Sequence, residues 1–166
     1  MSVRLFLLRH GVAEERSPQW SEMERPLTPE GMEKMREEAR GIASLSPGID
    51  LILSSPLKRA MQTAEAVAKA LRQPVVPFDA LASGASPETI LRALVPHAGK
   101  TGILLAGHEP DLGDLAAHLL GAPEGTIEFK KGALCCIEVD ALPPGKPGVL
   151  RSLLPPSVLR ALGKAR

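Results

Sequence analysis

The chain has 166 residues, of which 44% are hydrophobic and 23% charged, a length and composition that close one hydrophobic core without staples. Twenty Lys and Arg against nineteen Asp and Glu leave a formal charge of +1, and the aromatics amount to one Trp and three Phe. With neither a cationic field nor stacking platforms for bases, nucleic acid and anionic membranes are excluded as expected partners.

The first apolar run, Val3 to Leu8, reads as a buried strand that stops abruptly on Arg9-His10-Gly11. Those charged residues interrupt any secretory leader, and no stretch reaches the roughly 20 apolar residues of a membrane span. Ser17 to Pro26 is a polar, proline-bearing loop. Thr28-Pro29-Glu30 then sets an N-cap before a proline at the first helical position, predicting a helix to about Ser44 that Ser46-Pro47-Gly48 breaks. Leu51 to Leu53 is a short buried strand. Ser55-Pro56 repeats the cap-plus-proline signal, and Leu57, Met61, Ala64, Val67, Ala68 and Leu71 keep helical spacing from Pro56 to Leu71. Val75 and Val76 suggest a brief third strand, and Pro87 to Leu94 a short helix. Thr101 to Ala106 is another buried strand, followed by Gly107-His108-Glu109-Pro110 and a helix through about Leu120. Ala133 to Val139 and Val149 to Leu153 read as two further strands paired across the Pro143 to Gly148 link, and Pro155 to Leu162 as a terminal helix.

This alternation predicts one α/β domain over residues 1–166, a three-layer sandwich with a mostly parallel central sheet and helices on both faces. The two cysteines, Cys135 and Cys136, are adjacent; neighbours on a strand point to opposite faces, so they do not bridge each other. That usage, with no leader or span, fits a soluble cytoplasmic protein.

In a parallel sheet ligands bind beyond the carboxyl ends of the strands. Three such ends carry unusual polar residues: Arg9-His10-Gly11, then Ser54-Ser55-Pro56 with Arg59 four residues on, and Gly107-His108. Singly, each has a plain explanation: a solvated arginine, a satisfied histidine, a turn glycine or a helix-capping serine. If the strands are neighbours, two His and two Arg converge beside helix N-termini, an arrangement suited to a phosphate dianion.

With these blocks in view the chain resembles the histidine phosphatase superfamily, through "RHG" at residues 9–11, "SSPLKRAMQTAE" at 54–65 and "GHEP" at 107–110. The short length and "RPLTPEG" at residues 25–31 are similar to the SixA-type phosphohistidine phosphatase branch. The resemblance implies a phosphoglycerate mutase-like fold, a His10 nucleophile and a clamp of Arg9, Arg59 and His108, with Gly11 letting the backbone pass close to phosphate. Ser55 is a further candidate contact, equally well explained as a helix cap. It implies no cofactor and no metal, since the arginines supply the positive charge; His97, His118 and the cysteine pair lack metal-ligand spacing.

Many superfamily members carry a glutamate proton donor after the third strand. Here the stretch is "DALASGASPE", where Ala82 follows Leu81, and Asp79, Glu88, Glu14 and Glu15 all remain open as substitutes. Weak acid assistance favours a good leaving group such as the imidazole of a phosphohistidine over an alkoxide. The expected partner is therefore a phosphorylated protein, with a small phosphorylated metabolite as the alternative and a non-catalytic phosphate-binding module as a third reading. Lys130-Lys131-Gly132 is read as a solvated basic turn outside the site.

Overall fold

The computed structural model describes residues 2–165. Its strands are β1 (Val3–Arg9), β2 (Leu51–Ser54), β3 (Val76–Pro77), β4 (Gly102–Gly107), β5 (Leu134–Val139) and β6 (Val149–Leu154). Its α-helices are α1 (Pro29–Ser44), α2 (Lys58–Leu71), α3 (Pro87–Leu94), α4 (Asp111–Leu120) and α5 (Pro156–Lys164). The strands form a single sheet in the order β3-β2-β4-β1-β5-β6. The first four run parallel, and β5 is antiparallel to both β1 and β6.

The unbroken apolar runs of the sequence follow from burial on both faces of this sheet. Leu5 and Leu7 of β1, Ile103 and Leu105 of β4, and Cys135 and Ile137 of β5 pack on one side with Ile90 and Leu94 of α3 and Leu112, Leu115 and Leu119 of α4. Phe6 and Leu8, Leu104 and Ala106, and Leu134 and Cys136 pack on the other with Ile42 of α1, Val67 of α2 and Leu159 of α5. The expected three layers are therefore present, and the two thiols do lie on opposite faces, both buried and free.

Several boundaries shift for identifiable reasons. Helix α1 starts as expected, with the Thr28 side chain accepting from Gly31 N–H and proline in its first turn. Helix α2 does not start at Pro56: Leu57 is its N-cap and supplies no side-chain cap. Ser55 thus does not cap the helix: the chain bends through Pro56 and Leu57 first, and the Ser55 hydroxyl meets Leu57 N–H ahead of the first helical residue. The third strand contains only Val76 and Pro77, and both are exposed at the sheet edge, where proline is tolerated. Strand β4 begins at Gly102 and runs one residue further, through Gly107.

Helix α5 closes the sandwich by lying against α1 at backbone distance. A Cβ on Gly41 would collide with the carbonyl oxygen of Leu159, and one on Gly163 with that of Glu37. In an isolated helix, Gly→Ala adds about 1 kcal/mol of stability. Here the sign should reverse. Gly41→Ala and Gly163→Ala are each expected to lower the urea midpoint, with a loss of about 1–3 kcal/mol typical of overpacking. A raised midpoint would mean that the two helices separate at little cost.

Candidate active site

The three suspect strand ends lie side by side. Arg9 of β1 is in register with Gly107 of β4, and Ala106 of β4 with Ser54 of β2. The next backbone amides extend the ladder, with His10 N–H donating to Gly107 O at 3.0 Å and Ser55 N–H to Ala106 O at 2.9 Å. The residues following all three strands therefore emerge at one level, on the carboxyl edge of the sheet.

His10 is held from several directions. Its Nδ1 lies 2.7 Å from Gly11 O. A carbonyl only accepts, so the ring proton sits on Nδ1 and the lone pair on Nε2 is left available. Gly11 N–H donates in turn to Thr63 Oγ1 at 3.0 Å, and the Thr63 hydroxyl donates to Arg59 O at 2.8 Å. From behind, Gly132 N–H is shared between Arg9 O and His10 O at 3.1 and 3.2 Å. Gly11 is glycine for a packing reason as well: a Cβ there would come within 2.8 Å of Met35 Cγ.

Around this ring stand the other predicted groups. The His108 ring centroid is 5.3 Å from that of His10, the planes tilted by 57°. His108 Nε2 lies 2.7 Å from Ser55 Oγ, which also accepts Leu57 N–H at 3.2 Å. Arg9 Nη1 donates to Phe129 O at 2.7 Å, and Arg59 Nη1 to Glu22 O at 2.8 Å. His10, Arg59 and His108 are buried, at 7%, 4% and 3% exposure. Among the described residues, Arg9 Nε, Arg25 Nε, Arg59 Nε and His108 Nδ1 are buried with no hydrogen-bond partner. The arginine Nε–H groups are donors, and so is His108 Nδ1 in the tautomer whose Nε2 accepts from the Ser55 hydroxyl; such donors are costly to leave unpaired, and together they are what an oxyanion accepts from.

Burial, together with the charges of Arg59 and Arg9 and the neighbouring His108, pushes the His10 imidazole down to about 3 against the opposing pull of the Gly11 carbonyl. Burial, then the charges of Arg59, Arg25 and Arg9, pushes His108 down to about 4. Both rings are neutral at physiological pH, and a neutral His10 keeps its nucleophilic lone pair.

The structure thus gathers Arg9, His10, Ser55, Arg59 and His108, with Gly11 in the same loop but its amide committed to Thr63. None of the four carboxylates considered as proton donors hydrogen-bonds to His10 or the clamp among the described residues. Asp79 and Glu15 are exposed, and Glu14 contributes only its backbone oxygen to Arg25. Glu88 is exposed, sits 3.7 Å from His118 and lines a separate cavity of about 520 Å³ with Arg92 and Pro143 to Pro147. His97 packs edge-on against Phe78. Burial pushes the Cys135 thiol up to about 12, so it carries no reactive thiolate.

Three contributors were not singled out in the sequence. Thr63 stands one helical turn after Arg59, a spacing that places both on one face of α2. Gly132, read as part of a solvated turn, braces the Arg9-His10 backbone. The loop at residues 17–26 brings Glu22 and Arg25 onto Arg59: Glu22 Oε2 lies 3.3 Å from Arg59 Nη2 and 3.1 Å from Arg25 Nη2.

The sequence profile of the histidine phosphatase superfamily, branch 1, matches residues 5–83. An uncharacterized protein of Picosynechococcus is 33% identical over 139 residues, spanning 80% of this chain and 82% of that protein. Among solved structures, the protein histidine phosphatase SixA complexed with tungstate is similar with a TM-score of 0.82 and 26% identity, covering 95% of this chain and 99% of that one. The mycobacterial glucosyl-3-phosphoglycerate phosphatase shares the fold at 16% identity and a TM-score of 0.71, over 91% and 98% of the two chains. A phosphoserine phosphatase of Entamoeba histolytica does so at 18% and 0.70, over 95% and 99%.

Two outcomes follow from the geometry. Both histidines bind a proton more weakly in the fold than in the unfolded chain, whose imidazoles titrate near 6.5. Their contribution to stability is intact above that value and is lost as pH falls toward the folded values, at no more than about 1.4 kcal/mol per pH unit for each ring. Urea unfolding at about pH 7.5 and about pH 5 should show this slope, and His10→Asn should flatten it. Thr63→Val leaves the buried Gly11 amide without its acceptor and is expected to cost about 1–3 kcal/mol by the same assay.

Proposed function

The chain belongs to the histidine phosphatase superfamily and is a phosphatase; we propose that His10 is its nucleophile and that it dephosphorylates phosphohistidine in proteins without a metal ion. The observation that carries the reading is the His10 ring itself, its proton held on Nδ1 by Gly11 O and its Nε2 free beside the unpaired donors of Arg9, Arg59 and His108. That SixA is found complexed with tungstate, a tetrahedral oxyanion, supports a phosphoryl group as the ligand of the corresponding pocket.

On this reading His10 Nε2 attacks phosphorus in line. The new N–P bond forms as the bond to the leaving group breaks, and the His10 ring becomes a cation whose Nδ1–H remains bonded to Gly11 O. Negative charge spreads over the three equatorial oxygens, where Arg9, Arg59 and His108 donate. With a phosphohistidine substrate whose ring carries a proton on its other nitrogen, the leaving group is a neutral imidazole, and the transfer exchanges one N–P bond and one ring cation for another. Water then attacks phosphorus, the N–P bond to His10 breaks, and its electron pair returns the ring to the neutral form; both hydrogens of the water leave with the product as dihydrogen phosphate, which loses one to solvent. The guanidinium groups supply the positive charge that a divalent ion would otherwise provide. Gly11 and Ser55 act by orientation, the first holding the His10 ring and the second the His108 ring.

A second reading, hydrolysis of a small phosphorylated metabolite, draws on the same fold serving the glucosyl-3-phosphoglycerate and phosphoserine phosphatases. Hydrolysis of a phosphohistidine protein and of p-nitrophenyl phosphate, both with chelator present, separates the possibilities. Chelator-resistant turnover should disappear in His10→Ala and fall by about a hundredfold or more in Arg59→Ala. The phosphohistidine substrate should be turned over with the higher kcat/KM. Full activity in His10→Ala would overturn the covalent mechanism, and a preference for the ester would move the metabolite reading to the front.

A further inference from the structure

The loop at residues 17–26 places a carboxylate where an anionic substrate would be expected to meet only cations. Glu22 Oε1 lies 3.0 Å from Arg16 Nε, while Oε2 lies 3.1 Å from Arg25 Nη2 and 3.3 Å from Arg59 Nη2. The loop is fastened in this position. Met23 O accepts Lys58 N–H at the start of α2 at 2.9 Å, Arg25 N–H turns back to Ser21 O at 2.9 Å, and Arg25 Nη1 reaches Glu14 O at 2.8 Å. Glu22 is held ionised, its carboxyl drawn below the usual range by the hydrogen bond from Arg25 and by the nearby charges of Arg59 and Arg16. It is therefore no proton donor at neutral pH.

Its effect is on charge. Three guanidiniums and one carboxylate leave this side of the pocket with two positive charges, which a single phosphoryl dianion balances. A second anionic group beside the phosphoryl would seek Arg16 and Arg25, and both are already taken by Glu22.

We propose that Glu22 is a specificity-determining residue that matches the pocket to one isolated phosphoryl group and disfavours phosphorylated molecules carrying a carboxylate or second phosphate next to it. The inference rests on the phosphatase reading and sharpens it: a phosphohistidine side chain has no such second anion, whereas a phosphorylated hydroxy acid does.

Calorimetric binding of inorganic phosphate and of 3-phosphoglycerate at neutral pH and low salt tests this in the wild type, Glu22→Gln and the Arg16→Gln/Glu22→Gln double variant. Glu22→Gln is expected to improve affinity for 3-phosphoglycerate by about twofold to fivefold more than for phosphate, the range set by partly exposed ion pairs. That gain should be erased by adding Arg16→Gln, and should shrink at about 0.5 M salt through screening. Arg16 is 80% exposed, so its replacement leaves the fold undisturbed. An unchanged ratio of the two affinities, or weaker binding of both ligands in Glu22→Gln, overturns the inference and makes Glu22 a residue that only orients the arginines. Failure of the wild type to bind phosphate at all overturns the phosphatase reading, and this inference with it.

Discussion

The hydrogen bond from His10 Nδ1 to Gly11 O is the constraint on which the site depends. Imidazole has two nitrogens of nearly equal basicity, and a ring free to choose between tautomers would present the wrong one part of the time. Here the choice is made by a neighbouring backbone carbonyl, and that carbonyl is itself immobilised. The amide of the same residue is tied through Thr63 to the backbone of α2, and Met35 leaves no room for a side chain at Gly11. The Gly132 amide holds the preceding two carbonyls. Each of these partners comes from a different element of the fold, so the orientation of one ring depends on the docking of α1, of α2 and of the turn before β5.

The same geometry concentrates unpaired donors. Buried arginines are ordinarily matched by carboxylates, because uncompensated charge away from water is expensive. In this pocket the matching is incomplete. Arg59 has the backbone oxygen and carboxylate of Glu22, Arg9 has a backbone oxygen, and each keeps a buried Nε without a partner. Both histidines are neutral chiefly because they are buried, and the fixed guanidinium charges add to that effect. A site built in this way is less stable by itself than with an anion in it, and that differential favours phosphoryl binding and stabilises the charge that builds up on the equatorial oxygens.

The sandwich and the convergence of its three polar strand ends were legible in the sequence because both rest on local signals. Buried strands announce themselves as apolar runs, and a polar break at the end of such a run marks the edge where ligands bind. What could not be read was supplied by contacts between segments far apart in the chain. Ser55 looked like a helix cap because serine before proline usually is one, yet its hydroxyl is engaged by His108, more than fifty residues away. Glu22 and Arg25 sit in a loop with no periodicity, and only the fold shows that it folds back over the start of α2. Thr63 and Gly132 contribute one hydrogen bond donor or acceptor group each, a role that leaves no compositional trace.

The arrangement of carboxylates bears on which bond the pocket is suited to break. A phosphate ester leaves as an alkoxide and needs a proton delivered as the bond opens. Among the described residues the carboxylate seated on the clamp is Glu22, and three arginines keep it ionised. Asp79, Glu15 and Glu88 are exposed and Glu14 meets Arg25 only through its backbone, while Glu109, near Arg9, has its two oxygens on the amides of Gly113 and Phe129. The two imidazoles are neutral and engaged, His10 with Gly11 O and His108 with Ser55. A leaving imidazole makes the smallest demand on such a pocket: with a proton already on the other nitrogen of its own ring it departs as a neutral, weak base and needs none from the protein. Under the proposed mechanism, strong clamping of a phosphoryl group with weak assistance to the leaving group is a balance suited to phosphohistidine, and the proposed role of Glu22 would adjust that clamp to a single phosphoryl charge.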